Sequence, residues 1–167
     1  MVRLPSREGA SEMTAQPVAR AGYTGAWRWG LLFGILQVVL LNGASLLLGY
    51  SFPGAGELVS NLVNVVLFGM GLFLCGYAGY IAARKSGNPY TGNSAGLYAG
   101  LVYVTISLTI GFLLLYSIGG SFRDLLLHYP IVIAVTFGCA LIIYGLLALV
   151  AGVIGGKLAQ RSMAKAG

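Results

Sequence analysis

The chain has 167 residues, of which 57% are hydrophobic and only 8% carry a formal charge. A soluble domain usually carries about 25% charged residues, so this composition excludes a soluble globular protein and predicts an integral membrane protein. The net charge of +6 would suggest a nucleic-acid partner in a soluble protein. Here a topological cause is simpler, and we expect the lipid bilayer and no nucleic acid as partner.

Long uncharged intervals divide the chain. A transmembrane helix needs about 20 apolar residues, and four uncharged intervals are long enough. They predict an all-α membrane protein with spans near 29–50, 58–82, 95–118 and 131–156. Residues 25–160 then form one four-helix transmembrane domain. The polar residues 1–24 are expected to be a disordered tail, and residues 161–167 a second short tail.

The basic residues are expected on one side of the membrane. With four spans, both termini and the middle loop share a side, and nine of the ten lysines and arginines fall there. Only Arg123 falls on the other side. Such a bias marks the cytoplasmic side. We therefore predict a multi-pass protein of the cytoplasmic (inner) membrane with both termini in the cytoplasm.

The first two predicted spans contain four amide side chains. Gln37 and Asn42 lie in the first span, after a small-residue pair at Gly30 and Gly34. The second span carries Asn61 and Asn64 near its outer end. Amides inside a membrane either bond to neighbouring helices or line a polar path, and the first arrangement is the commoner. If the chain does contain a polar path, these four residues are its expected lining.

A ridge of small residues closes the second span. The residues repeat every fourth position, so they share one helix face along which another helix can approach closely. They are Gly71, Cys75, Gly79 and Ala83. Arg84 and Lys85 follow at once and mark the cytoplasmic end of the span.

The segments around the third span carry turn and cap signals. Residues 86–93 are expected to form a loop, in which Gly87 takes the left-handed conformation that closes a helix. Asn93 or Ser94 would cap the third helix, which opens with Gly96 and Gly100. After this span, residues 121–129 are expected to form a short helix on the outer surface.

The fourth span is expected to begin at Pro130, since proline suits the first position of a helix. It carries two small-residue faces, Ala148, Gly152 and Gly156 on one and Ala151, Gly155 and Ala159 on the other.

Two series of residues recur at fixed offsets. Five residues between 76 and 86 match five between 152 and 162 at an offset of 76, and Gly30 and Gly34 match Gly96 and Gly100 at an offset of 66. The chain is therefore predicted to be two helical hairpins related as parallel repeats.

No pattern of side chains predicts catalysis or cofactor binding. The four acidic residues lie outside the spans, and His128, the only histidine, has no second metal ligand near it. Cys75 and Cys139 should differ in depth by roughly 18 Å, at ~1.5 Å per residue, so no disulfide is expected. Both are expected to be buried thiols in helix contacts. We expect a protein that is not an enzyme and has no cofactor or metal.

The sequence also resembles a known group of proteins. A glycine-rich helix that ends Gly-Tyr-Ala-Gly-Tyr-Ile-Ala-Ala-Arg-Lys-Ser-Gly at residues 76–87, followed by Ala-Gly-Leu-Tyr-Ala-Gly at 95–100, resembles small four-span bacterial membrane proteins of unknown function. The resemblance covers about residues 27–160. It implies the same four-helix fold and no particular activity.

These features favour one function over several others. An ion-coupled exporter usually keeps a charged residue inside the membrane, and no predicted span has one, so proton-coupled export is less favoured. We predict an accessory or scaffold subunit of a larger membrane complex, with a small-residue face left for a protein partner or a second copy. The alternative is an oligomeric channel or facilitator for a small solute.

Overall fold

The computed structural model describes residues 18–51, 56–118, 124 and 127–165. These residues are almost entirely helical. The helices are α1 (Val18–Gln37), a π-helical turn (Val38–Asn42), α2 (Gly43–Ser51), α3 (Glu57–Ser86), α4 (Pro89–Ile118) and α5 (Pro130–Ala164). Helix α1, the π turn and α2 follow one another without a break. Four stretches are long and apolar enough to cross a membrane: Gly25–Leu48, Val59–Ser86, Pro89–Ser117 and Pro130–Ala164. The predicted all-α class with four spans is confirmed.

Helix α1 begins and α5 ends outside the predicted spans. Helix α1 starts at Val18, inside the stretch predicted to be a disordered tail. Proline precedes it in the sequence, a residue that suits a helix start, and good helix formers follow. Helix α5 likewise continues to Ala164, past the predicted tail boundary. Residues 1–17 lie outside the described part of the chain.

The connection between α3 and α4 is shorter than predicted. Gly87 has φ +69 and ends α3 in the left-handed conformation, as expected. Helix α4, however, begins at Pro89, so the prediction of a loop to residue 93 is wrong. The Asn88 side chain accepts a hydrogen bond from the Tyr90 N–H at 3.0 Å. Asn88 therefore caps α4 in place of Asn93 or Ser94, and proline takes the first helical position.

The helices form a bundle in which α3 and α4 occupy the centre. Helix α1 packs on α3 and α4, and α5 packs on the same two helices. One end of the bundle collects the basic side chains and is called the basic end below. The cations whose side chains are described there are Arg28, Arg84, Lys85, Lys157, Arg161 and Lys165. The Lys85 ammonium lies over the Trp29 ring, 4.3 Å from its centroid, and so ties α3 to α1.

The core lies entirely in the half of the bundle nearest the basic end. Every residue that is buried in the described part of the chain falls in one of four ranges: 26–41, 71–83, 91–104 and 144–159. The other half contains α2, the first four turns of α3, the end of α4 and the start of α5. Its described side chains are all half-buried or exposed. The four helices therefore pack tightly at one end and remain open at the other.

The π turn was not predicted. A π-helix closes hydrogen bonds from residue i to i+5 in place of i+4. In a regular helix Asn42 would lie about 140° from Gln37, at ~100° per residue, and would turn away from the bundle. The wider turn brings Asn42 to the side on which Gln37 is buried, and Leu41 (3% exposed), four residues after Gln37, lies on that side as well. The residues on both sides of the turn therefore reach other helices.

Two other predictions concern the open half. Cys75 is buried and Cys139 is exposed, and both thiols are free. The absence of a disulfide is confirmed, but the predicted burial of Cys139 is wrong because α5 packs on its neighbours only further along. Most of the predicted surface helix at 121–129 lies outside the described residues. The Nδ1 atom of His128 lies 2.7 Å from the Asp124 carbonyl oxygen, four residues back.

Candidate functional site

The predicted small-residue pair of α1 packs on α4. A Cβ atom added at Gly30 would meet the Tyr98 side chain and would lie 2.9 Å from the Ala95 carbonyl oxygen. At Gly34 an added Cβ would lie 2.7 Å from the Val102 Cβ. Real Cβ atoms essentially never approach other atoms so closely. Glycine at both positions is therefore what allows α1 to lie directly on α4.

Three glycines bring the backbones of α3, α4 and α5 into direct contact. We call Gly79, Gly92 and Gly152 the glycine junction. A Cβ at Gly79 would lie 2.7 Å from the Gly152 carbonyl oxygen and 2.9 Å from that of Gly92. A Cβ at Gly152 would lie 2.8 Å from the Gly92 carbonyl oxygen. None of the three junction positions therefore has room for a Cβ atom.

The remaining predicted packing residues also face helices of the same chain. Gly96 and Gly100 of α4 face Gly152 and Ala148 of α5, and Gly156 faces the Pro89 backbone. Gly71 faces the hydroxyl of Tyr144. Cys75, Ala83 and Ala148 are each 0% exposed. All the small-residue faces predicted from the sequence are therefore used inside this bundle.

The four amides predicted to line a path do not come together. Gln37 is 0% exposed. Its Nε2 atom donates to the Gly71 carbonyl oxygen at 2.7 Å and to Cys75 Sγ at 3.2 Å. Asn42 donates from Nδ2 to Ser107 Oγ of α4 at 3.1 Å. These two side chains bind neighbouring helices, which is the commoner use of a membrane amide.

Two buried polar atoms near the contact between Gln37 and α3 lack an ordinary hydrogen bond in the described chain. Gln37 Oε1 and the hydroxyl of Tyr144 are fully enclosed and make no hydrogen bond of ordinary geometry to the described residues, although the Cys75 thiol lies beside the hydroxyl. Tyr144 is 6% exposed, and its ring contacts those of Tyr103 and Phe68, with centroids 5.2 and 5.6 Å away. An unsatisfied buried polar atom costs about 1–3 kcal/mol. The sequence pattern indicates Gln37 but not Tyr144, which is one of several tyrosines in the spans.

Polar side chains form a stripe along the first two turns of α3. Glu57, Ser60, Asn61 and Asn64 have the spacing i, i+3, i+4, i+7, which places them on one helix face. We call these four residues the α3 polar stripe. All four are exposed. Asn64 lies seven residues before Gly71, two helical turns, so the stripe is on the same face of α3 as the buried ridge.

The stripe therefore faces the bundle but is not covered by it. Neither Asn61 nor Asn64 has a hydrogen bond to another residue in the described part of the chain. Two exposed hydroxyls elsewhere in the open half are bonded within their own helices. Thr109 and Thr136 each donate at 2.8 Å to the carbonyl four residues earlier. These two hydroxyls are satisfied locally, whereas the two stripe amides need an external partner.

The acidic and metal-ligating side chains of the described residues do not cluster. No group of three His, Cys, Asp or Glu side chains comes together in them. The described acids, Glu57 and Asp124, both lie towards the end opposite the basic one. The bundle therefore offers helix-packing surfaces, one enclosed polar contact and one exposed polar stripe.

The fold places the chain in a broad class, the multi-pass helical membrane proteins, here with four spans and a glycine-packed core at one end. No protein-family model, curated protein or solved structure matches the chain.

Proposed function

We propose that this protein is a non-catalytic accessory or scaffold subunit of a membrane complex, and that its α3 polar stripe contacts a transmembrane helix of its partner. One observation carries the proposal. Asn61 and Asn64 lie on the bundle-facing side of α3, are exposed, and have no hydrogen-bond partner in the described chain. The small-residue faces first expected to serve a partner are occupied internally, so the contact surface is the open half.

The depth of the α3 polar stripe in the membrane determines which side chains the partner helix must carry. Asn64 lies seven residues into α3, about 10 Å from its start at ~1.5 Å per residue. Polar groups at such depth face little water, and an interhelical hydrogen bond satisfies them with a gain of about 0.6 kcal/mol each on average. A partner helix with serine, threonine, asparagine or glutamine near its outer end supplies such bonds. An apolar helix would leave both amides unpaired.

The orientation in the membrane is part of the proposal. The basic end carries all six lysines and arginines whose side chains are described, and a side rich in cations faces the cytoplasm. The stripe then lies towards the outer side of the inner membrane. The bacterial origin implied by the resemblance fits this placement and stays a prediction.

The predicted repeat has support in one pair of helices. Residues 76 and 79 correspond to 152 and 155. Gly79 faces Gly152, and Gly155 faces Gly76, so each contact is the image of the other, as a local two-fold axis requires. Helices α1 and α4, the other pair that the repeat relates, do not show this symmetry. Gly30 and Gly34 face α4, whereas Gly96 and Gly100 face α5. We infer a duplicated hairpin whose halves have diverged in packing.

Native mass spectrometry of the tagged chain, extracted gently from its own membrane, tests the proposed function. We expect a stoichiometric membrane partner on the wild type and loss of most of it in the double variant Asn61→Leu, Asn64→Leu. Thr136→Val is the matched control, because it removes an exposed hydroxyl in the same half that is already bonded to its own helix. A wild-type chain that migrates as a bare monomer would contradict the proposal.

A second candidate is an oligomeric facilitator for a small solute. It is favoured by the alignment of the α3 polar stripe with Gly71, whose carbonyl binds the buried Gln37. A solute moving along the stripe would arrive at the two enclosed polar atoms that lack partners. Several copies would be needed, because glycine packing closes the basic end of a single bundle.

Replacing Gln37 and Asn42 together by leucine separates the two candidates. The change removes three interhelical hydrogen bonds, two from Gln37 and one from Asn42, at about 0.6 kcal/mol each, and also one unsatisfied acceptor. We expect stability in detergent to change by no more than about 1 kcal/mol. For a scaffold, partner binding stays intact. Loss of solute flux across liposomes, with the fold retained, would support the facilitator instead.

A further inference from the structure

An open groove runs between α3 and α5 on the surface of the packed half. Its volume is about 590 Å³, within the usual range of roughly 300–1,000 Å³ for ligand sites. The floor includes Gly76 and Gly155, where the two backbones approach most closely. Larger side chains flank these two glycines on both sides, so the glycines form a depression between them. The groove is therefore a direct result of glycine packing.

The two walls of the groove differ in character. Along α3, the rings of Phe73 and Tyr77 are parallel with centroids 6.4 Å apart, and those of Tyr77 and Tyr80 are parallel at 6.3 Å. Along α5, the wall is aliphatic and includes Ile154 and Leu158. No charged residue lines the groove. A flexible hydrocarbon chain is the ligand that such walls suit.

The length of the groove matches one leaflet of a bilayer. On α5 it extends from Leu147 to Leu158, about 16 Å at ~1.5 Å per residue. The hydrocarbon core of a bilayer is about 30 Å thick, so the groove covers about half of it. It lies in the half nearest the basic end, and Tyr80 marks its end on α3.

Cations and hydroxyls surround that end of the groove. The Tyr80 hydroxyl lies 3.4 Å from Ser162 Oγ of α5, and the Arg84 guanidinium lies beside the same phenol. Arg161 follows Leu158 by three residues and continues the groove-lining face of α5. No carboxylate of the described residues lies at this end to pair with these cations. The site therefore combines an apolar groove with uncompensated positive charge at one end.

We propose that the groove binds one anionic phospholipid from the leaflet at the basic end. An acyl chain lies along Phe73, Tyr77 and Ile154, and the phosphate group lies between Arg84 and Arg161. The Tyr80 hydroxyl donates to a phosphate oxygen; the Ser162 hydroxyl beside it donates to the Ala159 carbonyl of its own helix. A smaller groove of about 360 Å³ lies between α4 and α5 and is lined by Leu97 and Ile142 among others. Its lining on α5 ends at Leu149, well before Lys157, the next cation on that helix. It is not expected to select lipids by charge.

Lipid titration of the purified full chain in detergent, followed by native mass spectrometry, tests the proposal. The probes are phosphatidylglycerol, which is anionic, and phosphatidylcholine, which is neutral overall. We expect one tightly bound phosphatidylglycerol and weaker phosphatidylcholine. One Arg near an anionic headgroup is worth roughly fivefold in affinity, so Arg84→Gln and Arg161→Gln should each weaken phosphatidylglycerol by about fivefold.

Matched variants keep the result specific. Lys85→Gln removes a neighbouring cation that lies over Trp29, away from the groove, and should change binding by less than about twofold. Ile154→Trp should fill the groove and displace the lipid, whereas Ile143→Trp, an exposed residue outside both grooves, should not. Equal binding of the two lipids, equal effects of Arg84→Gln and Lys85→Gln, or a dimer that Ile154→Trp dissociates would each overturn the proposal.

Discussion

Replacing Gly79 by leucine is expected to separate α3 from both α4 and α5. Even the first added carbon would lie within 3 Å of two carbonyl oxygens on different helices. Neither helix can move away without losing its contact with the other, since Gly92 and Gly152 also touch. Overpacking costs about 1–3 kcal/mol when side chains can adjust. Here backbones must shift, so we expect a loss of at least about 3 kcal/mol, a fall of roughly 10 °C in the melting temperature.

Gly69 provides the matched control for that experiment. It lies on the same helix, ten residues earlier, and an added Cβ would have no atom within 4 Å. Gly69→Leu should therefore leave the melting temperature in detergent nearly unchanged, and Gly79→Ala should fall between the two leucine variants. If Gly79→Leu were as stable as the control, the backbone contact at the glycine junction would be wrong.

Tyr144→Ala is expected to have the second largest effect. The Tyr144 ring packs on Tyr103 and Phe68, and its hydroxyl fills the space beside Gly71. Truncating a large buried aromatic side chain to alanine costs about 3–5 kcal/mol because neighbours fill the cavity only in part. We expect a loss of about 3 kcal/mol, measured as the midpoint shift of unfolding in mixed detergent.

The change in stability caused by Tyr144→Phe shows whether the hydroxyl has a hydrogen-bond partner. The ring contacts stay, and only a buried oxygen without a partner is removed. Because an unsatisfied polar atom costs about 1–3 kcal/mol, the phenylalanine variant should be as stable as the wild type or more stable. A loss above about 1 kcal/mol would show that the hydroxyl binds a partner, such as an internal water molecule.

The sequence predicted the spans because the long uncharged intervals leave few alternatives in a bilayer. It also marked the residues of close approach, since small residues four apart share a helix face whatever they contact. It did not show which helix each face would meet. That depends on the order of the helices around the bundle, which is decided by all the contacts together. Gly30 and Gly96 illustrate this, because they match in the repeat yet face different helices.

Other features were missed although the chain carries some signal for them. Asn88-Pro89 is an effective helix start, with a capping side chain followed by proline at the first position, yet the surrounding turn residues concealed it. The π turn leaves a weaker trace. Gln37 and Asn42 are amides five residues apart in an apolar span, and both reach other helices only if the helix widens between them. The packing role of Tyr144 depends on neighbours from two other helices, Phe68 and Gly71 of α3 and Tyr103 of α4.

The contrast between the packed and open halves has a mechanical consequence. The glycine junction holds three helices at one level, whereas the far ends of those helices have few buried contacts to restrain them, so local motion has its lowest free-energy cost there. Asn64 lies fifteen residues from Gly79, about 22 Å along α3 at ~1.5 Å per residue. Tilting α3 by about 5° around the junction, which acts as its fulcrum, carries Asn64 through roughly 2 Å. A small tilt of α3 at the glycine junction therefore moves the α3 polar stripe by a distance comparable to the size of an atom.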